Sequence, residues 1–80
     1  MKLTKYLKAV QGLQAKSLNR SDIYLFEIDV RHYEDGDISL WVTTQKMGGD
    51  KFNYITFYSF CSDERNDAVL SELTAWLEGK

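Results

Sequence analysis

The sequence predicts a small α+β domain of order α-β-β-β-α: a three-stranded antiparallel meander with two helices packed on one face, a two-layer sandwich. Apolar residues recur at helical spacing at both ends of the chain and alternate with polar ones along its middle. Two glycine-bearing turns, Asp35-Gly36 and Gly48-Gly49, divide that middle into three strands. The 80 residues are read as one domain, 1–80, with a single small core.

Leu3, Tyr6, Leu7, Val10, Leu13 and Leu18 share one face of a helix expected over residues 2–16, with the lysines on the other. The stretch SLNRSD breaks the pattern and leads into the first strand, DIYLFEIDVRHY. Its alternation puts Tyr24, Phe26, Ile28, Val30 and His32 on one face, and Ile23, Leu25, Glu27, Asp29, Arg31 and Tyr33 on the other.

The turn sets the register. A two-residue Asp35-Gly36 turn opposes Val30 to Trp41 and Asp29 to Val42, setting apolar faces against polar ones. A three-residue Glu34-Asp35-Gly36 loop, with Gly36 left-handed, opposes Val30 to Leu40 and Ile28 to Val42. A one-residue slip flips every side chain, so the second register is predicted. The third strand, KFNYITFYSF, then opposes Ile55 to Val42 and Phe57 to Leu40.

Ser62 is the expected N-cap of the last helix, with Asp63 and Glu64 in its first turn and Gly79 near its end. Val69, Leu70, Leu73, Trp76 and Leu77 form its apolar stripe. The expected core joins Leu7, Val10, Leu13, Ile28, Val30, Leu40, Val42, Ile55, Phe57, Leu70, Leu73 and Trp76.

Net charge is −2, but the first 20 residues carry five bases and no acid, whereas residues 62–80 carry five acids and two bases. A basic start and an acidic end can attract each other within one fold, or the basic part can meet an anionic partner. Cys61 is the only cysteine, which suits a reducing compartment. No apolar run has signal-peptide or membrane-span length, so a cytoplasmic protein without membrane attachment is expected.

Chemistry-bearing patterns are few. His32 and Cys61 both fall on the helix side, and a Cys–His pair can make a thiolate nucleophile. They lie on the first and third strands, with a strand between, so a small enzyme using His32 or Cys61 ranks last. The acids of EDGD lack the ligand spacing of a calcium loop, and no helix follows MGGDK to complete a phosphate loop. No cofactor and no metal are expected.

The element order resembles the double-stranded-RNA-binding domain, whose helices also cover one face of a three-stranded meander. The resemblance is one of topology. It implies an RNA surface on the first helix, the first hairpin loop and the start of the second helix. Lys2, Lys5 and Lys8 suit that role, but Glu34-Asp35-Gly36-Asp37 and Ser62-Asp63-Glu64-Arg65 would repel phosphate. The RNA-binding function is therefore not carried over.

The outer face of the sheet collects Tyr33, Trp41, Phe52, Tyr54, Tyr58 and Phe60, six of the eleven aromatics. The third strand carries no charge from Phe52 to Cys61 and forms a sheet edge open to pairing. Both features predict a non-enzymatic interaction module, self-associating as a homodimer through the aromatic face or the third-strand edge. The alternative is single-stranded nucleic-acid binding on Trp41, Tyr54 and Tyr58, which Glu27 and Asp29 on the same face oppose.

Overall fold

The computed structural model describes residues 2–79 and has the predicted order: α1 (Thr4–Ser17), β1 (Ile23–His32), β2 (Ile38–Lys46), β3 (Asn53–Tyr58) and α2 (Asp63–Glu78). The strands form an antiparallel meander, β1-β2-β3, and both helices contact the sheet. Leu40, Val42, Ile55 and Phe57 on its inner face are buried against Leu3, Tyr6, Val10 and Leu13 of the first helical segment and Leu73 and Leu77 of α2.

The first hairpin has the predicted register, with Val30 opposite Leu40 and Ile28 opposite Val42. The Tyr33 N–H donates to Asp37 O at 2.9 Å, and the Gly36 N–H donates to Tyr33 O at 3.1 Å. Gly36 closes the loop at φ +92°, a conformation that L side chains rarely adopt. On the other side, Ile55 pairs with Val42 and Phe57 with Leu40. α2 starts at Ser62, whose Oγ accepts from the Arg65 N–H at 3.2 Å, and ends at Gly79 with φ +78°.

The basic start and acidic end do meet. Lys2 Nζ lies 3.9 Å from Asp63 Oδ1 and donates to Cys61 O, and the Tyr6 hydroxyl donates to Asp67 Oδ1 at 2.6 Å. α2 has no base in its last turn, and Arg20 supplies one from the α1–β1 connection by donating to Leu77 O. The same guanidinium grips Asp22 through two bonds of 2.9 and 2.8 Å. Lys46 reaches Asp22 at 3.4 Å and lies 4.7 Å from the centroid of Trp76.

Three expectations are corrected. A bulge between Ile23 and Leu25 places an extra residue, Tyr24, in β1. Ile23 therefore packs on the core, while Tyr24 is 65% exposed. Val30 is 46% exposed, because it borders a shallow apolar dent that the start of α1 leaves open at the sheet margin. His32, paired with Ile38 at the end of β1, keeps the expected inner-face phase and is exposed there. Leu18 follows the last residue of α1 as its C-cap and stands outside the buried stripe.

Candidate functional site: the outer face of the sheet

Strand register lays the outer face out in rows. Arg31, Ser39 and Tyr58 cross the sheet side by side, then Asp29, Trp41 and Thr56, then Glu27, Thr43 and Tyr54. Phe52 and Phe60 lie just beyond the ends of β3, so the strand is shorter than the aromatic run that predicted it. Phe52 packs against Tyr54 at a centroid distance of 6.1 Å, and Phe60 stacks on Tyr58 at 4.8 Å.

Ser39 is the hidden centre of this face. It is fully buried although it points away from the helices. Its Oγ accepts from Trp41 Nε1 at 2.9 Å and lies 2.9 Å from the Tyr33 hydroxyl. The indole N–H needs a partner when its ring is half-buried, and Ser39 supplies it two residues away on the same strand. The Arg31 guanidinium sits 4.5 Å from the Trp41 ring centroid. Trp41 is thus held by Ser39 and Arg31. The β3-side rings pair as Phe52–Tyr54 and Tyr58–Phe60.

Exposure separates the six predicted residues. Tyr54 and Phe60 are 63% and 64% exposed, and Phe52 and Tyr33 are also exposed. Trp41 and Tyr58 are half-buried. Glu27 and Asp29 stand exposed on the β1 side of the face.

The β3 edge is less open than its uncharged sequence implies. Arg65 Nη1 donates to Thr56 O at 2.6 Å, and Asn66 Nδ2 donates to Tyr58 O at 3.2 Å. Both donors come from the first turn of α2, so the helix caps the second half of the strand. The Arg65 guanidinium also lies 5.4 Å from the Tyr58 ring centroid. Neither cap is visible as a pattern in the sequence. The fully buried Asn66 is the one signal, because a polar residue on the apolar side of a helix requires a partner.

His32 and Cys61 are not brought into a hydrogen-bonded pair among the described residues. The Cys61 N–H donates to Tyr58 O at 3.2 Å, in the turn after β3. In the hairpin loop, Asp35 Oδ1 accepts from the Asp37 N–H at 2.9 Å, and Asp37 Oδ1 accepts from the Ser59 hydroxyl at 3.2 Å. These two carboxylates order the turn. Among the described residues no group of three His, Cys, Asp or Glu is placed to hold a metal ion, and no helix is long and apolar enough to cross a membrane.

Comparison with protein-family models, with curated proteins and with solved structures gives no match.

Proposed function

We propose that the protein is a non-enzymatic interaction module that binds a second copy of itself through the aromatic outer face of its sheet. The observation that carries this reading is the exposure of Phe52, Tyr54 and Phe60 beside that face. Aromatic residues are enriched in interface cores, and a two-fold dimer buries one such patch against itself. The face is favoured over the β3 edge because Arg65 and Asn66 already take the carbonyls of Thr56 and Tyr58. A lone cysteine suits a reducing compartment, which supports a cytoplasmic setting.

Stacking of single-stranded nucleic acid is the weaker reading. It needs free ring faces and a cationic track, whereas Arg31 covers Trp41 and the exposed Glu27 and Asp29 repel phosphate. A salt-dependent gel shift with polynucleotide separates the two.

Tyr54→Glu tests the reading better than a change at Trp41, because Trp41 also holds Ser39. Light scattering is expected to show a lower mass for Tyr54→Glu than for the wild type, with the circular dichroism of a folded chain. Equal masses would reject the aromatic face as the contact.

A further inference from the structure

β1 is the longest strand and the other edge of the sheet, and among the described residues one stretch of it is bare. In an antiparallel ladder, alternate residues direct both backbone groups to the same side. The Phe26 carbonyl points to the open edge, since Gln14 Nε2 donates to it at 3.1 Å. The Tyr33 N–H points to β2, since it donates to Asp37 O. Ile28 and Val30 share the phase of Phe26, so their N–H and C=O groups face outward. Beside them, on the inner face, lies the apolar dent bounded by Leu3, Leu7, Val30, Ile38 and Leu40.

We propose that β1 pairs antiparallel with β1 of a second copy about a two-fold axis at Asp29, so that Glu27 meets the partner's Arg31 and Ile28 meets the partner's Val30. Charge and apolar pairing together decide the register: an axis at Val30 would oppose Asp29 to the partner's Arg31 but would set Ile28 against the partner's His32 instead of Val30. Centring the axis on Ile28 would oppose Glu27 to the partner's Asp29, acid against acid. Centring it on Asp29 opposes Glu27 to the partner's Arg31 twice, once on each side of the axis. The outward-facing Ile28 and Val30 then fall into the hydrogen-bonded positions.

The inner face agrees with the same register. The partner's Ile28 arrives opposite Val30, at the mouth of the apolar dent, and covers the core-side valine that the helices leave exposed. On the outer face Leu25 meets the partner's Tyr33. The ladder stops where Gln14 occupies the Phe26 carbonyl. The two Asp29 carboxylates oppose each other at the axis, each diagonal to the partner's Arg31. This contact does not depend on the aromatic-face dimer, because it uses the β1 edge and none of Phe52, Tyr54 and Phe60, sharing only Tyr33 with the aromatic set.

The test exploits the two-fold symmetry in a Tyr54→Glu background, which disables the aromatic face. Tyr54→Glu protein is expected to sediment as a dimer. Adding Glu27→Lys sets lysine against the partner's Arg31, and adding Arg31→Glu sets acid against the partner's Glu27. Each of these proteins alone is expected to be a folded monomer by sedimentation and circular dichroism. Mixed in equal amounts they are expected to form a heterodimer, since both seams then join opposite charges. A monomeric Tyr54→Glu protein at the highest concentration reached, or a mixture that stays monomeric, overturns the proposal.

Discussion

The Tyr6 hydroxyl donates a 2.6 Å hydrogen bond to Asp67 Oδ1, while its buried ring stacks on Phe57 at a centroid separation of 5.3 Å. One side chain therefore joins α1 to α2 and both to β3. Burial of the ring, reinforced by the hydrogen bond and charge of Asp67 and by Asp63, raises the Tyr6 pKa from 10.0 to about 12. A raised folded-state pKa means that folding favours the neutral phenol. That contribution is complete below pH 10 and is lost as pH rises through about 12. Tyr6→Phe is expected to lower the melting temperature at neutral pH and to flatten the loss of stability between those two values. The measurement is a series of thermal melts across that range, with wild type and variant side by side.

Leu73 is fully buried between the helices and the sheet. Leu73→Ala removes core contacts and leaves a cavity, at a cost of about 2–5 kcal/mol. For a domain whose whole stability is of that order, much of the population would unfold at room temperature. Urea titration checks this through a lower midpoint at unchanged slope.

Gly36 isolates backbone strain from crowding, because a Cβ built there meets nothing within 4 Å while φ is +92°. A β-branched side chain in a left-handed conformation costs about 1–2 kcal/mol or more, and asparagine less. The expected order of melting temperature is wild type, then Gly36→Asn, then Gly36→Val. Equal values for the two variants would contradict the left-handed loop.

Thr44 is fully buried on the inner face of β2, and its Oγ1 is the buried side-chain polar atom without a hydrogen-bond partner among the described residues. Thr44→Val keeps the shape and β-branching and removes an unsatisfied hydroxyl. It is expected to stabilise the fold by about 1 kcal/mol, a rise in melting temperature of about 4–8 °C. Calorimetry reads this directly.

The fold was legible because its strongest signals are periodic. Only one register sets Val30 against Leu40 and Ile28 against Val42, and Gly36 is the residue that loop geometry requires there. Ser62 and Gly79 mark the ends of α2 for equally local reasons. The departures are tertiary. The bulge at Tyr24 reverses two side chains without interrupting the apolar run, so alternation alone extends one residue too far. Val30 has the pattern of a core residue, but helix cover, which the pattern does not encode, ends before reaching it.

At the candidate site, membership of the outer face followed from register, while its internal contacts did not. Ser39 reads as an ordinary polar strand residue, yet it anchors Trp41 and Tyr33. Arg65 and Asn66 read as helix residues, yet they close half of the β3 edge. Both depend on side chains meeting across elements, which strand and helix periods leave undetermined.

We propose that Phe52, Tyr54 and Phe60 form the contact between copies. It is tested most directly by following their aromatic NMR resonances through a dilution series. These three rings are expected to shift as the protein is diluted, with the resonances of buried Phe57 and Tyr6 unmoved. Resonances of Phe52, Tyr54 and Phe60 that are independent of concentration, in a sample whose mass changes on dilution, would contradict it.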